Sequence, residues 1–279
     1  MHPEYAKIKL PTESTFFNTR GEVIRNNLHT VCEEARCPNR GDCWSHGTAT
    51  FMVLGKNCSR NCRFCSVTHG HMEPLDPMEP RNVARAAREM GLSFVVITSV
   101  DRDDLPDQGA SHFAAVIREV KETGAKVEVL IPDFRGDFNL LDVILMEKPT
   151  VVAHNVETVR RLSPLIRDPR ASYEQSLSVL RHISSRGFIT KSSIMLGLGE
   201  SDEEVVETMK DLRRAGVSIL TIGQYLRPSK MQVPVVEYSP QSRFERLKDL
   251  GYEIGFSYVA SGPLVRTSYR AAEAWEAVG

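Results

Sequence analysis

A chain of 279 residues, 41% hydrophobic and 25% charged, has the composition of a soluble globular protein with enough length for a sizeable core and no need of disulfide staples. Lys+Arg 35 against Asp+Glu 36 leaves a formal net charge of -1, and without a basic block this disfavours binding to nucleic acid or to an anionic membrane. No run of about 18 apolar residues predicts a membrane span, and the opening MHPEYAKIKLPTEST has neither the apolar stretch of a secretory signal nor the Arg/Ser-rich pattern of a transit peptide.

In chain order, residues 1–48 are polar and turn-rich and read as an N-terminal extension. From Ala49 to about residue 230, short apolar runs alternate with amphipathic stretches. The runs are Thr50–Leu54, Phe94–Thr98, Val127–Ile131, Val151–His154, Ile189–Leu196 and Ile219–Ile222. Rich in Val and Ile, they predict parallel strands buried on both faces. Pro80 suits the first turn of a helix over Asn82–Met90, and Gly91 suits its end. Ser201 and Glu204 form a capping box for a helix ending near Gly216. Gly124, Gly187 and Gly251 are expected to close three further helices. Six strands over residues 49–230 favour an α/β fold, a six-unit partial (β/α) barrel, with a doubly wound open sheet as the alternative. Residues 231–279 follow as a C-terminal segment. In either architecture, sites gather at the C-terminal ends of the strands.

All six cysteines fall early, in two triplets: Cys32, Cys37, Cys43 and Cys58, Cys62, Cys65. A cytoplasmic, reducing setting is expected, in which clustered cysteines are more often ligands or redox groups than disulfides. Three soft thiolates hold an iron–sulfur cluster while leaving one iron without a cysteine. Zinc is the alternative, with His69 or His71 completing the second triplet and His29 or His46 the first. Phe64 stands beside Cys65 as an apolar shield. Asp101, Arg102, Asp103 and Asp104 form a charge run that reads most simply as a solvated loop. Arg227 is expected to order the site or to meet an acidic carrier.

The loop GKNCSRNCRFCSV, Gly55–Val67, follows the first strand and resembles the radical S-adenosylmethionine (SAM) superfamily. That resemblance implies a 4Fe-4S cluster on Cys58, Cys62 and Cys65, with SAM on the iron that lacks a cysteine. It implies cleavage of SAM to a 5′-deoxyadenosyl radical, a reagent for unactivated C–H bonds. With the first triplet, in LHTVCEEARCPNRGDCW, the chain also carries DPMEP, TSVDRDDL, HNVET, KSSIMLGLGE and QYLRPS. Together these closely resemble the lipoyl synthase family.

The resemblance implies a second, auxiliary 4Fe-4S cluster on Cys32, Cys37 and Cys43, whose sulfide becomes the sulfur of the product. The family pattern near the C-terminus is R-S-S-Y, and this chain has Arg266, Thr267, Ser268 and Tyr269. Ser268 is the implied non-cysteine ligand, supplied by the C-terminal segment. The implied reaction inserts two sulfur atoms at carbons 6 and 8 of a protein-bound octanoyl-lysine, with two SAM molecules per lipoyl product. Thr98 and Ser99 are implied contacts of the methionyl part of SAM. Asn155, Glu157 and Lys191 are implied for the ribose and carboxylate, and Gly197 for close backbone approach. Implied partners are octanoylated lipoyl domains of 2-oxoacid dehydrogenases or the glycine cleavage H protein, a low-potential donor such as ferredoxin or flavodoxin, and an iron–sulfur carrier. No nucleic acid and no membrane are expected.

Overall fold

The computed structural model describes residues 14–45 and 50–279. His46, one of the alternative zinc ligands, lies outside the described residues. The chain divides into two compact units: one runs to Arg60 and resumes over Ser66–Thr150, the other comprises Asn61–Cys65 and Val151–Gly279.

The first unit contains α1 (Ser14–Arg25), β1 (His29–Thr30), α2 (Val31–Glu34), α3 (Arg40–Ser45), β2 (Thr50–Val53), β3 (Asn57–Cys58) and β4 (Thr68–His69). It continues with α4 (Glu79–Glu89), β5 (Phe94–Ser99), α5 (Ala110–Lys121), β6 (Lys126–Leu130) and α6 (Phe138–Met146). Strands β2, β5 and β6 pair in parallel, with β1 antiparallel on β2. The apolar runs are deeply buried at Phe51, Val53, Val95, Ile97, Val127 and Val129, as parallel strands covered by helices require. Val83, Ala86 and Ala87 of α4 and Phe113, Val116 and Ile117 of α5 are buried with them.

Pro80 does lie in the first turn of its helix, which starts earlier than expected, at Glu79. The extension also differs from the turn-rich reading, because Ser14–Arg25 is helical. Phe16, Thr19 and Val23 make its buried stripe at helical spacing. Phe16 packs on the fully buried Trp44 of α3, with ring centroids 5.4 Å apart. The stripe is short and interrupted by Asn18, Arg20, Gly21 and Glu22, which hides it among polar residues.

The second unit contains β7 (Val151–Ala153), α7 (Ser163–Ile166), α8 (Tyr173–Ser185), β8 (Ile189–Leu196), α9 (Asp202–Arg214), β9 (Ile219–Gln224), α10 (Gln241–Ile254), β10 (Tyr258–Gly262) and α11 (Ala271–Glu276). Its strands pair in parallel in the order β7, β8, β9, β10. Leu180, Leu196, Leu212, Ile222 and Phe244 are among the fully buried residues of its core. Strand β10 extends the strand–helix alternation beyond residue 230. It pairs with β9 from Tyr258 opposite Ile219 to Gly262 opposite Gly223. Its sequence, YVASG, holds no Val/Ile run and so carries no strand signal.

The expected capping box is present, with the Ser201 side chain on the Glu204 backbone and the Glu204 carboxylate on the Ser201 N–H. Gly251 is a correction. Helix α10 continues through it to Ile254, and Gly255 ends the helix with φ 101°. Glycine at 251 serves close packing, since a Cβ there would lie 2.8 Å from Val259 Cγ2. No described helix is long and apolar enough to cross a membrane.

Candidate functional site

None of the six cysteines is in a disulfide. The loop of the second triplet leaves β2 through Leu54 and Gly55, both at positive φ (70° and 93°). In the first unit, Cys58 Sγ accepts the backbone N–H of Asp101 at 3.3 Å and of Arg60 at 3.5 Å. Ser59 donates its N–H to the Asp101 carbonyl (2.9 Å), and its hydroxyl contacts Asp103 Oδ2 (3.0 Å). Arg60, only 4% exposed, makes a two-pronged pair with Asp103 at 2.8 and 2.9 Å. It also meets Asp133 at 2.8 Å and Asp101 at 3.4 Å.

The charge run 101–104 is therefore not a solvated loop. It anchors the loop bearing Cys58, and Arg102 turns back to bond Asp104 and the Leu54 carbonyl (3.0 Å). Burial alone would favour a neutral Arg60, but the Asp103 and Asp133 bonds and the Asp101 charge outweigh it and raise its pKa. Burial, with Asp133 and Asp103 close by, pushes the Asp101 carboxyl up to about 6 against the pull of Arg60. Arg60→Leu would leave buried carboxylates without their cation, a loss of about 3–5 kcal/mol. Urea unfolding of the metal-free chain checks this, and an unchanged midpoint would contradict it.

In the second unit, Cys65 donates its N–H to the Cys62 carbonyl (3.0 Å), closing a turn. Asp168 lies across this segment. Its backbone N–H reaches Cys62 Sγ at 3.4 Å, and its carboxylate accepts the Asn61 N–H at 2.9 Å. Arg170 grips that carboxylate at 2.8 Å and holds its pKa well below the usual range. Gln232 Nε2 donates to the Cys65 carbonyl (3.0 Å), and the Val233 N–H to the Arg63 carbonyl (3.0 Å). Arg227 orders that stretch by donating to the Gln232 and Lys230 carbonyls at 2.8 and 2.6 Å. Phe64 packs against the core of this unit. Thiols on one loop, with backbone N–H groups aimed at two of the sulfurs, are a donor set suited to an iron–sulfur cluster, whose potential such bonds tune.

The first triplet is built by short helical turns. Thr30 caps α2 by accepting the Glu33 N–H (3.3 Å). Cys37 then bonds back to the Cys32 carbonyl (3.2 Å), and Cys43 to that of Asn39 (2.8 Å). Burial, helped by the charge of Cys37, pushes the Cys32 thiol up to about 11. Burial, then Cys32 and Cys37, push Cys43 up to about 12. Buried thiolates that repel one another stay ionised only beside a strong cationic centre. This donor set also fits a cluster. His29, an alternative zinc ligand, has Nδ1 3.3 Å from Glu34 Oε1, and His69 and His71 are exposed. Among the described residues, no three His, Cys, Asp or Glu side chains converge closely enough to hold a single metal ion, as zinc would require.

The strand ends carry the remaining candidates. In the first unit Thr98 is the penultimate residue of β5, with its hydroxyl already donated to the Leu130 carbonyl (2.9 Å). The buried Ser99 Oγ has no partner. In the second unit Asn155 follows β7 and donates Nδ2 to Glu157 Oε1 (3.1 Å) and to Thr267 Oγ1 (2.9 Å). Its buried Oδ1 has no partner, an orphaned acceptor of the kind a bound polar cofactor satisfies. Glu157 has φ 67° and continues the edge of β7 by bridging to Ile194. Burial raises its pKa, although Arg167 and Asn155 oppose the shift. Lys191 is fully buried and lies early in β8, level with Ala153 at the end of β7.

Gly197, at φ 99°, donates its N–H to Glu200 Oε1 (2.6 Å) and accepts from the Val236 N–H (2.9 Å). A Cβ there would sit 2.2 Å from Gln224 Nε2 and 2.5 Å from the Glu237 carbonyl, so packing alone demands glycine. Gly197→Ala is expected to cost about 2 kcal/mol or more, seen as a lowered thermal midpoint of the metal-free chain. An unchanged midpoint would contradict that packing argument. Ser268 lies half-buried in the turn after β10, and its hydroxyl has no hydrogen-bond partner among the described residues.

Sequence reasoning missed Arg60, Asp133, Asp168 and the Thr267 bond. Only Arg60, an arginine between the first two cysteines of the loop, carried a usable signal.

A family model described as the radical SAM superfamily matches residues 52–212. The chain is 63% identical to the lipoyl synthase of Picrophilus torridus over 270 residues, covering 96% of this chain and 94% of that one. It is 55% identical to the lipoyl synthase of Thermus thermophilus, over 96% of this chain and 85% of that one. Among solved structures, methylornithine synthase matches with a TM-score of 0.57 at 14% identity, over 92% of this chain and 85% of that chain. Streptococcus suis SuiB bound to S-adenosylmethionine matches with a TM-score of 0.60 at 11% identity, over 80% of this chain and 54% of that chain. These likenesses give the fold as the α/β partial barrel of radical SAM proteins. A radical SAM match through the Cys58–Cys65 loop, and high identity along nearly the whole chain, make it a radical SAM enzyme that belongs to the lipoyl synthase family.

Proposed function

We propose that this enzyme inserts two sulfur atoms at carbons 6 and 8 of an octanoyl chain carried on a lysine of a lipoyl domain. Cys58, Cys62 and Cys65 would hold one 4Fe-4S cluster, and Cys32, Cys37 and Cys43, with Ser268, a second. The observation that carries the reading is the first triplet: three free thiols on one short segment, Cys32 buried and Cys37 and Cys43 half-buried, in a family whose relatives are lipoyl synthases along almost their full length. With SAM bound, the first cluster supplies one-electron cleavage to a 5′-deoxyadenosyl radical, which takes one hydrogen atom from an unactivated carbon. The second cluster is the sulfur substrate. Two C–H bonds are lost and two C–S bonds form, with one SAM consumed for each hydrogen atom removed.

The chain's own residues bind and orient. Asp101 and Asp168 steady Cys58 and Cys62 through backbone N–H bonds to sulfur. Ser99, Asn155 and Glu157 offer buried polar atoms to SAM, with Thr98, Lys191 and Gly197 as further contacts. No acid or base is needed for hydrogen-atom abstraction, so the work of these side chains is positioning.

The carriers would be octanoylated lipoyl domains of 2-oxoacid dehydrogenases or the glycine cleavage H protein, with ferredoxin or flavodoxin as electron donor, an iron–sulfur carrier for repair, and a cytoplasmic location. Anaerobic incubation of reconstituted protein with SAM, dithionite and an octanoylated lipoyl domain tests the reading by mass spectrometry. Two added sulfur atoms are expected. A carrier returned unmodified, while 5′-deoxyadenosine accumulates, would overturn it.

A further inference from the structure

The turn that carries Ser268 is tied to the candidate cofactor edge by the side chain of Asn155. Asn155 is 8% exposed, and its Nδ2 serves two acceptors: Glu157 Oε1 at 3.1 Å and Thr267 Oγ1 at 2.9 Å. Both amide protons are thereby committed, and the Oδ1 left over is buried and without a partner. Glu157 is fixed in turn by its own backbone, with its N–H on the Ser193 carbonyl (3.2 Å) and its carbonyl on the Met195 N–H (2.8 Å). On the other side, Tyr269 closes the turn by donating its N–H to the Arg266 carbonyl (2.9 Å). One carboxamide thus links a fixed strand edge to a short turn after β10.

Resting on the reading of Asn155 and Glu157 as SAM contacts, we propose that Asn155 and Thr267 are a positioning pair that couples the order of the Ser268 turn to occupancy of the SAM site. Thr267 is this chain's departure from the family's first serine, and its oxygen is engaged by Asn155, whereas Ser268 has no such partner. The threonine therefore holds the turn, and the neighbouring serine stays available. A ligand that bonds Asn155 Oδ1 fixes the plane of the carboxamide, and this fixes Nδ2 on Thr267. By linkage, a turn already held by Thr267 presents Oδ1 in the orientation the ligand needs.

The test compares wild type, Thr267→Val and Thr267→Ser. Hydrogen exchange over residues 263–270 is measured on metal-free protein, and on reconstituted protein with and without SAM. SAM affinity of the reconstituted proteins is measured alongside. In Thr267→Val, exchange of this turn is expected to rise about fivefold and SAM affinity to fall about fivefold, the worth of one neutral hydrogen bond. SAM slows exchange of the turn in wild type and in Thr267→Ser, and does not in Thr267→Val. A side chain that merely packs would be moved by neither SAM nor the serine variant.

Equal SAM-dependent protection in all three proteins would overturn the coupling. So would a serine variant that behaves like valine. The metal-free comparison needs no cofactor, so its failure rejects the Asn155–Thr267 bond itself. Wild-type protein that binds no SAM on reconstitution would instead reject the functional reading.

Discussion

Cys58→Ala is expected to abolish SAM cleavage and lipoyl product together. Cys58 is held by the Asp101 and Arg60 N–H groups on a segment that Arg60 anchors to Asp103 and Asp133. The variant keeps that ion-pair network while removing one of three thiolates. Loss of a ligand from an open-cornered cluster removes the centre that reduces SAM, so 5′-deoxyadenosine formation should fall at least about a thousandfold, equivalent to about 4 kcal/mol of barrier. Anaerobic chromatography of 5′-deoxyadenosine checks it. Because Cys58 stands apart from the first triplet in sequence, iron bound at Cys32, Cys37 and Cys43 should persist. Cleavage near the wild-type rate would contradict the assignment of this loop.

The second large effect is the converse. Cys32→Ala should leave SAM cleavage in place, uncoupled from product, and should eliminate sulfur transfer. Cys32 is buried within a group whose thiolates repel one another, so removing it deprives the second centre of its most enclosed ligand. The same change leaves a cavity about the size of a methyl group, worth about 1 kcal/mol, and the fold should survive. The expected result is 5′-deoxyadenosine without any lipoyl product, accompanied by loss of roughly half the bound iron. Lipoyl product from a folded Cys32→Ala protein would contradict the sulfur source.

The contrast between these two variants also separates the proposed enzyme from a zinc-bound module. A module stabilised by zinc would lose stability on either substitution and would cleave no SAM in any form. Only two independent centres make one variant silent in both assays and another silent in one.

The strands were legible where burial on both faces forces a run of Val and Ile, as at Val127–Ile131 and Ile189–Leu196. They were not legible at Tyr258–Gly262, where Tyr258, Ala260 and Ser261 are only half-buried and the segment has no apolar run. Helix ends were readable where a cap is made by local chemistry, as at Ser201 and Glu204. Gly251 misled because a glycine demanded by packing on Val259 looks in sequence like one demanded by a left-handed cap.

For the site, the thiols were plain because their spacing is itself the signal. Their supports were not. Asp168 lies more than a hundred residues from Cys62, and nothing local to either position announces the contact. The run Asp101–Asp104 looked like solvated charge because its partner, Arg60, is far away in the chain. The Asn155–Thr267 bond spans 112 positions. Resemblance pointed to Gly197 as a cofactor contact, whereas Gln224 and Glu237 already account for a glycine there.

The most direct measurement uses protein whose clusters are rebuilt with sulfide enriched in a heavy sulfur isotope, then allowed a single turnover in unlabelled buffer with SAM and octanoylated lipoyl domain. Mass spectrometry of the carrier should show both new sulfur atoms carrying the heavy isotope, with the cysteine-bound iron of the first triplet lost in step. A lipoyl group containing only light sulfur would mean the atoms come from elsewhere, and Cys32, Cys37 and Cys43 would no longer hold the sulfur that the enzyme inserts.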